Sequence, residues 1–388
     1  MTAEAVIIDG VRTPLGLGHP QKGWLRFVRG DELGVAAVRA IVERSGIAAH
    51  LVEDVVLGCA TQMGEQAMNV ARYVGLMAGL PHGVAAQTVN RQCASGMSAL
   101  HVAAQSIMAG GGEVFVAGGL ESMSHLPEGT GADLHPERFR FADPSAASMG
   151  LTAEGLVKLY SISRREQEEF AFRSHCRAVT AQAEGRFRVE IVPIEARSDA
   201  GLSRMVCQDQ LPRPDTSLDI MAALPPITGE GGTITIATAS RPGDGAAALL
   251  VMSAEKAWEL GMRPMAKLKA MAVAGVDPKL MGLGAVAAAR KALVRASLRA
   301  GDVDLWEVNE AFAAVALAFI REMEIDPDRV NVNGGSVALG HPMGCTGARM
   351  MVTLVHEMER RQARIGLAAL CVGMGQGVAT VVERCEGS

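Results

Sequence analysis

Short runs of aliphatic and β-branched residues alternate with longer amphipathic segments along the chain: AVIID, then LGVAAVRAIVERSG, then DVVLGCA, then MNVARYVGLMAGL. The short runs read as buried strands and the longer ones as helices. Their alternation predicts an α/β protein with parallel sheets covered by helices. A second pattern is an internal echo. TVN leads into Cys93, then the helical CASGMSALHVAAQSIMAG and the strand EVFVAGG; later VNVNGG leads to His341, then the helical CTGARMMVTLVHEMERR and the strand GLAALCVGMG. The same strand, turn, helix, strand and glycine-turn unit appears twice. Two similar halves follow, residues 1–260 and 261–388, with their reactive turns converging at strand ends and helix starts, where α/β proteins place ligands. From roughly Leu120 to Thr235 the alternation breaks into loops and short amphipathic helices, punctuated by QLPRPDTS and ALPPITGEGG. That stretch reads as an excursion laid over the core of the first half.

Composition narrows the class. With 388 residues, 49% of them hydrophobic, 44 glycines and 4% aromatics, the chain suits a large α/β core of small and branched side chains joined by tight turns. The 21 methionines read as core filler. A net charge of -5 leaves no nucleic-acid footprint, so an anionic ligand must be met by local cations or by backbone. Seven scattered cysteines argue against a disulfide framework or a zinc ribbon and point to a reducing compartment; no metal site is expected. The chain shows neither a signal-like start nor a membrane-length apolar run, and its CEGS ending is no targeting box, so a cytoplasmic protein is the expectation.

Three reactive side chains sit at glycine-rich junctions that follow or end predicted strands. Cys93 lies in TVNRQCASGMSAL, His341 in NVNGGSVALGHPMGCTGAR and Cys371 in LAALCVGMGQGVAT. Small residues at such turns leave backbone N–H groups pointing outward, a geometry suited to a negative oxygen. Cys93 opens a predicted helix, whose N–H groups and dipole favour a thiolate. Cys371 is followed by Gly373, Gly375 and Gly377, read as room for a substrate against the main chain. His341 is held between Gly340 and Pro342; the other eight histidines read as surface or satisfied core. Asn309, before EAFAAVALAF, reads either as a helix N-cap or as a polar group of the site.

These segments, together with AVIIDGVRTPLG near the start, GGLESMS (Gly118 to Ser124), MGLTAE (Met149 to Glu154), NEAFA (Asn309 to Ala313) and VATVVER near the end, resemble the thiolases over nearly the whole chain. The resemblance implies two βαβαβαββ halves in a five-layer α/β/α/β/α core, with a coenzyme A-binding loop domain at about 120–235. It implies that Cys93, within NxxCxSGxxA, is acylated and that Cys371 is the acid and base. The N–H groups of Cys93 and Gly373 would form the oxyanion hole for the thioester. His341 would activate Cys93 and donate to the keto-derived oxyanion, with Asn309 holding a water as second donor. Arg213 would lie beside the adenine and Ser240 near the pantetheine, with Met149, Ala311 and Phe312 lining the acyl or pantetheine end.

Acyl-CoA and coenzyme A are then substrates and no bound cofactor is implied. No P-loop or dinucleotide glycine signature is present. LTAEGLVKLYSISRREQEEFAFRSH, the ending CVGMGQGVATVVER and Ser148, where acetoacetyl-forming relatives often carry histidine, favour the degradative 3-ketoacyl-CoA branch. Acetoacetyl-CoA chemistry is the alternative. A decarboxylating ketosynthase needs one cysteine and two histidines and has no use for Cys371, and an inactive complex subunit would not keep every chemical position. Thr235, Ile236 and Ala237 depart from the family's TAG and put a bulkier side chain near the expected pantetheine channel. A homodimer or homotetramer is implied, with a hydratase/dehydrogenase subunit as a further partner.

Overall fold

A computed structural model describes residues 3–140 and 142–385. In the first half the elements are β1 (Ala5–Arg12), β2 (Gly16–Leu17), α1 (Gly30–Ser45), β3 (Asp54–Gly58), α2 (Val70–Met77), β4 (Ala85–Val89), α3 (Ser95–Met108) and β5 (Val114–Ser122). A long connection follows, carrying α4 (Met149–Tyr160), α5 (Arg164–Ala183), β6 (Ile194–Arg197), β7 (Ser203–Val206) and α6 (Leu218–Ala222) before β8 (Gly243–Ser253) and α7 (Ala254–Glu259). The second half comprises β9 (Ala266–Gly275), α8 (Leu283–Ala296), β10 (Leu305–Val308), α9 (Ala313–Met323), α10 (Ser336–Leu339), α11 (Met343–Arg361), β11 (Ile365–Val372) and β12 (Gln376–Arg384).

Ten strands form one mixed sheet in the order β10-β11-β12-β9-β1-β8-β5-β3-β4, with β2 added on β8. Within the first half β4, β3 and β5 are parallel and β8 and β1 antiparallel to their neighbours. The second half repeats this. β10 and β11 are parallel, β12 and β9 antiparallel, and Val330 bridges Trp306 in parallel where β4 lies beside β3. The predicted echo is therefore a repeat of topology. The halves join through the brief pairing of Val6 with Lys267 and Ile7 with Ala266.

Three apolar cores separate the layers, because side chains alternate across each strand. Leu33, Ile41 and Val74 of α1 and α2 pack on Val55, Val116 and Leu250. From the opposite face Val56 and Leu249 meet Met97 and Leu100 of α3 and Met351 and Leu354 of α11, which are covered on their far side by Leu370 and Val378. Ala289 and Leu293 of α8 and Val315 and Phe319 of α9 pack on Ala369 and Val381. The result is the α/β/α/β/α stack. Each fully buried Leu, Val or Phe contributes about 1.5–3 kcal/mol.

At the centre α3 and α11 touch backbone to backbone. A Cβ on Gly96 would stand 2.7 Å from the Gly344 carbonyl oxygen and 2.9 Å from the Ala348 nitrogen, and one on Gly347 would stand 2.5 Å from the Met97 nitrogen. Only glycine permits this approach, and it draws together the turns that precede the two helices.

The long connection is tied to the core by buried charge. Arg12, fully buried at the end of β1, pairs with Glu190 at 2.7 Å and bidentately with Asp209 at 2.7 and 2.9 Å. Asp209 also accepts the Leu15 N–H. Among the described residues no helix is long and apolar enough to cross a membrane, and no group of three or more His, Cys, Asp or Glu side chains is arranged around a metal position.

Candidate active site

Cys93 sits in a single 3-10 turn, Gln92–Ala94, between β4 and α3. That turn is locked locally: Ser95 Oγ accepts from the Arg91 N–H at 2.8 Å and donates to the Gln92 carbonyl at 2.7 Å, while the Gln92 N–H donates to Asn90 Oδ1 at 2.8 Å. Cys371 is near the end of β11, opposite Gly377 of β12. His341 lies between α10 and α11, its N–H donating to the Arg241 carbonyl at 2.8 Å. The topology brings all three into one cleft. Gly373, Met149, Ser240, Ala311 and Phe312 line the same cleft.

Asn309 is 1% exposed, at the end of β10. It is not a helix N-cap, because α9 begins at Ala313 with Phe312 in that place. Its Oδ1 accepts from Ser336 Oγ at 2.7 Å, and its Nδ2 is buried without a hydrogen-bond partner among the described residues. His341 shows the same asymmetry. Its Nδ1 is 2.7 Å from Thr346 Oγ1, and its buried Nε2 has no such partner. An unpaired buried polar group costs about 1–3 kcal/mol; of the two residues His341 lines the cleft, while Asn309 lies outside its lining.

Arg213 lies outside the cleft, its side chain 62% exposed and 3.6 Å from Asp215. Of the three glycines after Cys371, only Gly373 faces the cleft, a Cβ there falling 2.3 Å from Gln92 Oε1. Those on Gly375 and Gly377 would strike the Val276 carbonyl at 2.5 Å and the Gly284 carbonyl at 1.8 Å, so these two serve packing against neighbouring backbone. Ile236 is 44% exposed and absent from the cleft wall. Gln92, Met123, Glu128, Pro242, Met281 and Met343 line the cleft without having been singled out in sequence. The methionines among them had been read as core filler; with Met149 they make a pliable apolar wall, and only their number in the chain hinted at it.

Burial pushes the Cys93 thiol well above its usual range, with Cys371 and Glu128 adding to the effect, while the N–H groups of Gly373 and of Cys93 itself pull the other way. Burial pushes Cys371 up to about 12. His341 is held down to about 4 by burial and by the Arg349 charge. Desolvation thus opposes the helix-start donors at both thiols and opposes protonation of the imidazole. The unpaired imidazole nitrogen belongs to a residue that lines the same cleft as Cys93.

Two thiols and an imidazole thus share one cleft on a duplicated α/β fold. The thiolase N-terminal domain matches residues 5–255 and the thiolase C-terminal domain residues 262–384. The 3-ketoacyl-CoA thiolase of Marinobacter nauticus is 45% identical over 386 residues, and that of Marinomonas sp. 47% identical over 386 residues, each alignment covering 98% of both chains. Among solved structures, the Bacillus anthracis acetyl-CoA acetyltransferase superposes with a TM-score of 0.90 at 41% identity, covering 99% of both chains. The chain belongs to the thiolase family.

Proposed function

We propose that the protein cleaves 3-ketoacyl-CoA with coenzyme A, giving acetyl-CoA and an acyl-CoA shortened by two carbons, as in fatty acid β-oxidation. The observation that carries this reading is the meeting of Cys93, Cys371, His341 and Gly373 in one cleft walled by methionines. Cleavage of the C2–C3 bond needs one group to bond to C3 and another to manage a proton, which is why the site has two thiols.

In the first half-reaction His341 Nε2 takes the Cys93 proton and the sulfur attacks C3. The oxyanion formed there faces His341 Nε2–H and the Asn309 amide side. Collapse of that adduct breaks C2–C3, leaves the acyl group on Cys93 and transfers the Cys371 proton to C2 of the departing acetyl-CoA. Its thioester oxygen is held by the N–H groups of Cys93 and Gly373. In the second half-reaction the Cys371 thiolate takes the proton of incoming coenzyme A, whose sulfur attacks the acyl group. Cys93 leaves and recovers its proton from His341. Each oxyanion donor is worth about a hundred- to a thousandfold in rate.

Coenzyme A is a substrate in this scheme, with Ser240 beside its pantetheine, Met149, Ala311 and Phe312 along its reactive end, and Arg213 at its adenine, outside the cleft. The excursion at about 120–235 would bind it, between halves at 1–260 and 261–388. A cytoplasmic homodimer or homotetramer, able to join a hydratase/dehydrogenase subunit, completes the proposal.

The second reading is acetoacetyl-CoA synthesis or cleavage, which the likeness to the Bacillus anthracis acetyl-CoA acetyltransferase favours. The names of the Marinobacter and Marinomonas relatives and the methionine wall support longer substrates. Comparison of kcat/KM for medium- and long-chain 3-ketoacyl-CoAs with that for acetoacetyl-CoA, followed by loss of enolate absorbance, decides between them. Higher values for the longer chains are expected; cleavage of acetoacetyl-CoA alone would transfer the protein to the second reading.

A further inference from the structure

His341 reaches the cleft with Nε2 while Nδ1 faces α11, 2.7 Å from Thr346 Oγ1. Thr346 is 0% exposed. Its hydroxyl also lies 2.8 Å from the carbonyl oxygen of Pro342, four residues earlier, and its backbone N–H donates to the same carbonyl at 2.8 Å. This is the back-bond that a threonine forms within a helix. A carbonyl can only accept, so the single hydroxyl proton lies toward Pro342, and Thr346 Oγ1 is left to accept from the imidazole. We infer that Thr346 is a positioning residue that holds neutral His341 as the Nδ1–H tautomer, leaving the lone pair of Nε2 free beside Cys93.

The assignment deepens the role proposed above for His341 and rests on it. With the lone pair on Nε2, the Cys93 S–H proton passes to that nitrogen and the S–H electron pair stays on sulfur to form the bond to C3. The imidazolium then carries a proton on each nitrogen, Nδ1–H still bound by Thr346 and Nε2–H turned to the new oxyanion. The opposite tautomer would set an N–H against the thiol and provide no base. Thr346 touches neither substrate nor sulfur and acts through His341 alone, in the way second partners of a histidine set its tautomer.

The test begins with proton–nitrogen correlation spectra of the full-length protein carrying isotopically labelled histidine, at neutral pH, with the His341 signals assigned by their loss in His341→Asn. An unprotonated Nε2 and a protonated Nδ1 are expected; a protonated Nε2 in the wild-type protein would overturn the inference, whatever any variant does. Thr346→Val keeps the β-branched shape and removes the hydroxyl. It should mix the tautomers and lower kcat by about a hundredfold, with KM for coenzyme A within about twofold, and Thr346→Ser should restore both rate and tautomer. Wild-type kcat in a folded Thr346→Val protein would also defeat the inference. Absence of thiolysis in a wild-type protein that does hold the Nδ1–H tautomer would instead defeat the proposed activity and leave the Thr346 assignment standing.

Discussion

The Ser336 hydroxyl donates to Asn309 Oδ1 across 2.7 Å, and this bond decides which end of the buried amide is left as a donor. The Asn309 backbone N–H is anchored on the Ala369 carbonyl at 2.9 Å, so the residue is pinned at both its main chain and its side-chain oxygen. With the oxygen engaged, Nδ2 is the unpartnered atom.

Removing that donor should show in turnover. Asn309→Ala is expected to lower kcat by about a hundredfold or more, the usual loss for one oxyanion donor. Ser336→Ala keeps the amide but frees it to turn, and about a tenfold loss is expected from one hydrogen bond. Steady-state thiolysis measures both, and unchanged rates in Asn309→Ala would remove this residue from the site.

The division of labour between the two thiols gives a sharper test. Incubation with acyl-CoA followed by peptide mass spectrometry should place the acyl group on Cys93 and not on Cys371 or Cys345, which is 0% exposed in the core. Cys371→Ala keeps the nucleophile and lacks the proton carrier, so it should still acquire label while steady-state turnover falls by about a thousandfold or more. Near-normal turnover in this variant would end the two-thiol scheme.

Acid should destabilise the fold by forcing charge onto its buried histidines. Burial holds His341 down to about 4, His175 to about 4 and His101 to about 3. In the unfolded chain each takes its proton near pH 6.5. Between these limits the unfolded chain binds more protons, so this stability is complete above about pH 6.5 and is lost as pH falls toward 4. Each histidine should cost on the order of 2 kcal/mol by about pH 5. Urea unfolding across this range should show a steep fall, made shallower by His101→Gln, which can keep a bond to Thr380 at the position of the present 2.7 Å contact. A flat profile would contradict the burial argument.

The contact of α3 with α11 is open to a one-carbon test. Gly96→Ala would put its Cβ 2.7 Å from one backbone atom and 2.9 Å from another, neither of which can yield as a side-chain tip would. A loss of about 1–3 kcal/mol or more is expected, with activity falling further than stability because the displaced helix carries the Cys93 turn. Calorimetry and kinetics on the same preparation test this; wild-type values in both would mean that the helices have room to part.

Cys93, His341 and Cys371 were legible in sequence because each stands at a junction whose local pattern, an apolar run ending in small residues, is also its structural cause. The repeated unit announced the convergence of Cys93 and His341 for the same reason. Long-range partners were not legible. Nothing around Thr346 distinguishes it from any helix threonine until the turn holding His341 is in place. Gly375 and Gly377 look like Gly373 in sequence, and only the pairing of β12 and the seating of α8 show that they face backbone. Helix-start donors at Cys93 were legible because they are local, whereas the burial that opposes them belongs to the assembled cleft, lined by residues as distant as Met281, Pro242 and Met343. The single sheet hinges on β1 meeting β9 through two residue pairs, too brief a register to announce itself.

The close seating of α3 on α11 also makes reactivity a late event in the life of the chain. Cys93 belongs to the part synthesised first, while His341 and Cys371 arrive near the end. A chain still on the ribosome, with β8 just completed, carries Cys93 without His341, Cys371 or the Met281 and Met343 side chains that wall its cleft. The cleft is complete only when the second half closes over the first, because residues of both halves line it.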